Sequence, residues 1–315
     1  MHVTRTATTV EPQAALRVAQ FNAENLFDDV DDRARRDDAV EPERYAVRLA
    51  KLALTVRDTL RGADLVALEE IENQHVLDDL LAQPALAGLG YRSVLVEGND
   101  MRGIDTALLY RADRLHLDHA ETLTPDAPHD MRIAGGSVDA AKLFARPPLI
   151  ASFTLQGPLG AAEGARSITI VANHFKSKVG ENPRVAVRRD VQAATVGAWV
   201  DAWRAARPGA DVLVVGDLNA NPRDRAMELL TRDARGQDRL LDAPTLLPKP
   251  ERYTGSFQGE PTLLDHLLAT PELHARLTHV ELPHLNSGGF GDPDDPATPD
   301  GSSDHDPIVA TYRLG

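Results

Sequence analysis

The sequence predicts an α/β protein, because short apolar runs of strand length alternate with longer segments of helical character along the whole chain. A second observation is that nearly every apolar run ends in acids, amides or histidine. Rigid strands fix the side chains that emerge from their ends, so such ends, gathered at one rim of a sheet, are where α/β proteins place ligand sites. No internal repeat is present.

In chain order, strands are expected at 17–22, 64–69, 91–97, 105–110, 149–155, 168–173, 211–216, 263–268 and 308–312. Helices are expected at 42–60, with Pro42 at its first turn, and at 184–206, just after Asn182-Pro183. Residues 122–137, with Pro125, Pro128, Gly135 and Gly136, read as a loop, and so do residues 286–303, dense in Gly, Pro and Asp. Strand-like runs resume after each with similar composition. The expected organisation is therefore a flexible segment over 1–15 and one domain over 16–315.

The chain has 315 residues, 42% hydrophobic and 26% charged, enough to bury a sizeable core. Lys plus Arg number 34 and Asp plus Glu 48, a net charge of −14, which repels a polyanion at long range and argues against non-specific coating of DNA. An enzyme that contacts one phosphate remains compatible, since a bound cation and a few placed Lys or Arg reverse the field inside a cleft. The absence of cysteine excludes disulfides, thiolate zinc sites and cysteine nucleophiles. No stretch approaches the roughly 20 apolar residues of a membrane span, and the N-terminus lacks the apolar run of a secretory signal. The expectation is a soluble monomer, either cytoplasmic or secreted with its signal absent from this sequence.

Gly216-Asp217-Leu218-Asn219 ends an apolar run; on extended backbone Asp217 and Asn219 point to one side, where they suit a metal, a water or a phosphate oxygen. The same residue types also form plain turns. Ser303-Asp304-His305-Asp306 sets an imidazole between acids at the mouth of a strand, an arrangement suited to proton transfer near neutral pH. Asp265 and His266 interrupt an apolar run, and alternation sends them to opposite faces, with Asp265 the candidate for the cleft and His266 structural. Asn173-His174-Phe175-Lys176-Ser177-Lys178 would present His174, Lys176 and Lys178 on one face if the strand continues, a face suited to phosphate. A solvated strand end explains the lysines equally well. Arg102-Gly103-Ile104-Asp105 offers a guanidinium to a substrate, or a salt-bridged turn. The acid-rich run 28–38 reads as a solvated loop, and Trp199 and Trp203, at helical spacing, as core.

Taken together, these segments, with Phe21-Asn22 through Leu26-Phe27 and Leu68-Glu69-Glu70, resemble the endonuclease/exonuclease/phosphatase superfamily with its DNase I-like fold, and look closest to bacterial extracellular-nuclease-like members. They stand in the family's order from the first strand to the last. The resemblance implies a four-layer α/β sandwich, two mostly antiparallel sheets packed face to face with helices outside. It places Asn22 and Glu70 at the principal metal site, His174 on the scissile phosphate, and Asp217 and Asn219 on the attacking water and the pentacovalent centre. Asp265 and Asp304 would support His174 and His305 respectively, with Asp304 also near the metal, and His305 would be a base or phosphate ligand. Lys176, Arg102 and Asp105 are the substrate-binding candidates. Where the family often has Gln-Glu this chain has Glu69-Glu70, so both acids are candidates for the metal.

The chemistry so implied is in-line hydrolysis of a phosphodiester with Mg²⁺ or Mn²⁺, hard cations matched to carboxylate and amide oxygens; Ca²⁺ would bind without supporting turnover. The expected substrate is nucleic acid, DNA or RNA. The alternative is a small phosphoester such as a lipid headgroup, an inositol phosphate or a nucleotide, which the −14 charge favours.

Overall fold

The computed structural model describes residues 15–124, 130–133, 136–139, 143–160, 166–180, 182–257, 259–287 and 291–314. Almost all of the N-terminal segment expected to be flexible lies outside them. In chain order the strands are β1 (Ala15–Leu26), β2 (Leu65–Ile71), β3 (Tyr91–Leu95), β4 (Asp105–Arg111), β5 (Leu115–Thr122), β6 (Asp130–Ile133), β7 (Gly136–Asp139), β8 (Leu149–Leu155), β9 (Ser167–His174), β10 (Asp211–Asp217), β11 (Leu241–Asp242), β12 (Gly255–Phe257), β13 (Glu260–Thr262), β14 (Asp265–Ala269), β15 (Leu277–Glu281) and β16 (Ile308–Arg313). The helices are α1 (Pro42–Leu54), α2 (Gln74–Leu81), α3 (Pro183–Ala206), α4 (Arg225–Thr231) and α5 (Pro271–His274).

Two six-stranded sheets form, in the orders β15-β16-β1-β2-β4-β3 and β11-β14-β10-β9-β8-β5. In each, one central pair is parallel, β1 with β2 and β9 with β10, and every other pairing is antiparallel. Alternation then sorts the side chains. Leu16 and Val18 of β1, Leu65 and Ala67 of β2, Ile168, Ile170 and Ala172 of β9, and Leu213 and Val215 of β10 share one buried cluster between the sheets. The opposite faces carry Ala19, Phe21, Val66 and Leu68, packed with Leu49 and Leu52 of α1 and Leu77 and Leu80 of α2. On the other side Val171, Val212 and Val214 pack with Val196 and Val200 of α3 and Leu230 of α4. The result is helices, sheet, sheet, helices, the layering that the family resemblance implies.

Several elements differ from the sequence expectation. The helix expected over 42–60 is α1 followed by a wider π-turn at Thr55–Thr59, where the Thr55 hydroxyl bonds back to Lys51 O at 3.0 Å and competes with the regular ladder. The loop expected over 122–137 contains β6 and the start of β7, a short antiparallel hairpin. The acid-rich run 28–38 is largely exposed, but Asp28 is buried, accepting from Asn73 Nδ2 at 3.1 Å. Trp199 and Trp203 lie half-buried against the α3 side of the core, rings stacked 5.0 Å apart. Among the described residues no helix is long and apolar enough to cross a membrane.

Candidate active site

The apolar layer between the sheets turns polar at one end. Following the inward parity of each strand, Leu16 and Val18 are succeeded by Gln20 and Asn22, Leu65 and Ala67 by Glu69, Ile170 and Ala172 by His174, and Leu213 and Val215 by Asp217, while Leu267 is preceded by Asp265. Polar side chains from strands distant in sequence therefore meet where the sandwich opens.

Glu70 has the wrong parity and reaches the same place by a different device. The β2–β4 register shifts between Glu69 and Ile71, a bulge, and Glu70 adopts φ +63°. Of the five non-glycine residues with positive φ among the described residues, four lie here: Glu24, Asn25, Glu70 and Asn219. Such backbone persists only where surrounding contacts over-determine it, and it clusters at functional sites. Glycine is required at position 216, with φ +127°, because a Cβ there would sit 1.9 Å from Asn173 O. This close approach carries Asp217 to the mouth of the cleft.

The side-chain geometry is close-knit. Asn22 Nδ2 lies 3.3 Å from both Glu70 Oε1 and Asp217 Oδ2, and its Oδ1 accepts the Glu24 N–H at 2.9 Å. Glu70 Oε2 accepts the Asn25 N–H at 2.8 Å. His174 Nε2 stands 3.6 Å from Glu70 Oε1 and from Asp217 Oδ2. Asn219 holds both Asp217 oxygens, its N–H on Oδ1 at 2.9 Å and its Nδ2 on Oδ2 at 3.1 Å. His305 Nδ1 pairs with Asp265 Oδ2 at 2.7 Å while its Nε2 faces Asp217 Oδ2 at 4.0 Å. Asp217, Asp265 and His305 bring donor atoms within 4.8 Å of one another. The short His305–Asp265 bond already uses one atom of each, so these two form an oriented imidazole–carboxylate pair rather than two free ligands.

Burial and mutual repulsion set the protonation states. Burial and the Asp265 charge push Asp217 up to about 7. Burial works against a charged His305, but Asp265, Asp217 and Asp304 outweigh it and hold the imidazole well above its ordinary range. Its partner Asp265, despite its own burial, is held below the usual carboxylate range by that cation. His174 goes the other way: burial first, then Arg146, His305, Arg102 and Lys176, push it well below 6.5, although two carboxylates lie within 3.6 Å. It is a neutral imidazole beside a cationic one.

Glu69 and Glu70 are separated by the bulge. Glu70 faces Asn22 and His174, whereas Glu69 is fully buried beneath them on Gln20 Nε2 at 2.7 Å, and burial with the nearby Asp265 charge raises its pKa well above 4.5. The support expected for His174 is corrected: Asp265 pairs with His305 and not with His174. Asp304, though exposed, lies beside His305 as expected, its Oδ1 3.8 Å from Nε2. The face shared by His174, Lys176 and Lys178 does not form, because β9 ends at His174; Phe175 turns into the core and Lys178 pairs with Asp224 at 2.6 Å. Lys176 remains at the rim, where burial first and then the charges of Arg146, Arg188 and Arg102 lower its pKa. Arg102 Nη1 reaches Asn25 Oδ1 at 2.8 Å, beside the Glu70 loop. Asp105 is not brought into the cluster; it is buried and accepts the Gly98 N–H at 2.9 Å, so its carboxylate shapes a loop. His266 lies on the opposite face of β14, bonded to Asp242 Oδ2 and Ala220 O at 2.8 Å each.

Sequence reading missed Gln20, Ser303 and Arg48. Gln20 Nε2 bridges Glu69 and Asp265 Oδ1, the latter at 2.8 Å, and its parity with Asn22 was the available signal. Ser303 Oγ donates to Asn22 O at 2.7 Å and accepts the His305 N–H at 3.0 Å, joining the first motif to the last. Arg48 of α1 donates to the carbonyls of Ala23, Glu24 and Asn25, which no local pattern announces.

Fold and site together are those of a phosphoric-ester hydrolase. Residues 17–280 match the profile of the Endonuclease/Exonuclease/phosphatase family, and the chain belongs to that family, whose members depend on divalent metals. No curated protein sequence matches the chain. Among solved structures it is similar to truncated Caenorhabditis elegans TDP2, with 18% identity, 95% of this chain and 98% of that one covered, and a TM-score of 0.60. An endonuclease/exonuclease/phosphatase from Bacteroides vulgatus gives 16%, 96%, 99% and 0.59. D. rerio TDP2, crystallised with a single-strand DNA product, gives 18%, 95%, 99% and 0.59.

Proposed function

We propose that the chain is a divalent-metal-dependent nuclease that hydrolyses phosphodiester bonds of DNA or RNA. One observation carries the reading: Asn22, Glu70, His174, Asp217, Asn219 and His305, from strands and strand-flanking loops far apart in sequence, converge on a single cleft with more carboxylates than its own cations balance. The donor set fits a hard cation, since Glu70 and Asp304 offer carboxylate oxygens and Asn22, whose Nδ2 faces Glu70, would offer its amide oxygen on rotation of the amide, with no thiolate in the chain. Mg²⁺ or Mn²⁺ held there would draw charge from the phosphoryl and leaving oxygens. Ca²⁺ would compete for the same oxygens.

The protein's own groups supply the rest. Asp217, oriented by Asn219 and poised near neutrality, takes a proton from the attacking water. Neutral His174 and cationic His305 donate to the non-bridging oxygens, where charge accumulates as the water oxygen bonds to phosphorus and the opposite P–O bond breaks, the departing alkoxide taking its proton from solvent. Lys176 and Arg102 at the rim bind the flanking backbone. The single-strand DNA product bound to the D. rerio relative supports nucleic acid as substrate.

The −14 net charge favours the second reading, hydrolysis of a small phosphoester. A cleavage panel of supercoiled DNA, single-stranded DNA, RNA and bis(p-nitrophenyl) phosphate, with and without chelator, separates the two. Turnover confined to small esters selects the second, and chelator-insensitive turnover removes both.

A further inference from the structure

Lys51 is 1% exposed, and its Nζ lies 2.8 Å from Asp292 O, 3.0 Å from Asp295 O, 3.1 Å from Thr298 O and 2.8 Å from Asp300 O. An ammonium has three protons, so four carbonyls around one nitrogen make a cation cage rather than a set of discrete bonds. The loop that supplies them contains Asp292, Asp294, Asp295 and Asp300, and runs directly into Asp304 and His305. Burial lowers the Lys51 pKa, and the charges of those four acids oppose that shift without cancelling it.

Few bonds separate the cage from the reactive imidazole. Ser302 Oγ lies 3.2 Å from Thr55 Oγ1, one turn beyond Lys51. The Ser302 N–H donates to Asn286 Oδ1 at 3.0 Å, and Asn286 Nδ2 donates to His305 O at 2.6 Å. Ser303 Oγ then ties the His305 N–H to Asn22 O. A cavity of about 300 Å³, lined by Glu24, Arg44, Arg48, Lys51, Asp294 and Ser302, gives small solutes access to this region.

We propose that Lys51 is a positioning residue, its ammonium serving as the built-in cation of the 292–300 loop and thereby fixing His305 against Asp217. Its kinetic consequence rests on the hydrolytic reading above, while its structural consequence does not. Lys51→Ala removes the ammonium and leaves room; Lys51→Met removes the charge and fills the room. Amide exchange is measured on each variant without substrate, and turnover on bis(p-nitrophenyl) phosphate with Mg²⁺.

The expected result is exchange of the amides of 291–305 faster by about tenfold or more, with β9 and β10 unchanged. kcat falls by about tenfold or more with KM within about threefold, and ethylammonium restores loop protection and kcat in Lys51→Ala but not in Lys51→Met. Unchanged loop exchange in a folded variant, loosening spread over the whole chain, or no rescue of Lys51→Ala by ethylammonium overturns the proposal. If neither variant folds, Lys51→Arg decides: its planar fork does not fill a four-carbonyl cage, so exchange should rise in 291–305 alone, and unchanged exchange overturns the proposal. If the wild type hydrolyses no phosphodiester while the exchange pattern is as expected, the hydrolytic reading fails and the cage stands.

Discussion

His305 Nδ1 lies 2.7 Å from Asp265 Oδ2, and the other oxygen of Asp265 is held by Gln20 Nε2 at 2.8 Å. The carboxylate thus fixes both the tautomer and the charge of the imidazole, and Gln20 fixes the carboxylate. Asp265→Asn keeps the shape and removes the charge. Turnover should fall by about 10²–10⁴-fold with little change in KM. In the same variant the His305 resonance in an NMR titration should move to lower pKa, since Asp265 is the leading group that raises it. A variant with near-normal kcat, or an unmoved titration, would remove Asp265 from the proposed role.

Glu70 faces Asn22 and His174, and among the described residues no Lys or Arg side chain is bonded to it, so a divalent ion has a stabilising as well as a chemical effect there. Adding Mg²⁺ or Mn²⁺ to chelator-treated wild type should raise the unfolding midpoint. At about 100 times Kd the gain is about 2.7 kcal/mol, a shift of several degrees for a chain this long. Glu70→Gln should lose both this shift and hydrolysis, whereas Glu69→Gln should keep the shift, because Glu69 is buried beneath the cleft on Gln20. Scanning calorimetry with and without metal checks both.

The α/β class and the roll of polar strand ends were legible because alternation writes burial into the sequence: Val18, Ala67, Ala172 and Val215 each predict the side on which the following polar residue emerges, whereas the four-layer arrangement followed only from the family resemblance. What alternation cannot write is a change of parity. Glu70 enters through a bulge at positive φ, and Lys176 leaves because β9 stops at His174, so one acid was ambiguous and one lysine face was misread. The partner of Asp265 was also hidden, since it depends on where the closing loop sets His305. Asn22 and Ser303, 281 positions apart, meet through a side chain to backbone bond that carries no sequence signal. Strands β5 and β15 escaped because their exposed faces alternate with charged residues and make no apolar run.

Burial lowers the Lys176 pKa, and the nearby charges of Arg146, Arg188 and Arg102 lower it further. An anionic substrate backbone relieves that repulsion, so binding rather than chemistry should carry its contribution. Lys176→Ala is expected to raise KM by about five- to tenfold at low salt with kcat nearly unchanged, the effect shrinking as ionic strength rises. Initial rates on single-stranded DNA at two salt concentrations test this. A loss confined to kcat would instead place Lys176 at the reacting phosphate.

Asp105 carries a prediction about stability against pH. Burial pushes it from an ordinary value of 3.8 up to about 7, against the pull of the Gly98 N–H, with Glu97 adding to the rise. Below the unfolded-state value both states are protonated and nothing is lost. As pH rises from there through about 7, the unfolded chain ionises first and stability falls; above it the full penalty is present. The shift corresponds to a penalty on the order of 2–4 kcal/mol. Asp105→Asn retains an acceptor for Gly98 and removes the ionisation, so it should be more stable than the wild type at pH 8 and indistinguishable at pH 3.5. Urea midpoints at the two pH values check it, and an equal effect at both would mean that the amide changes packing rather than charge.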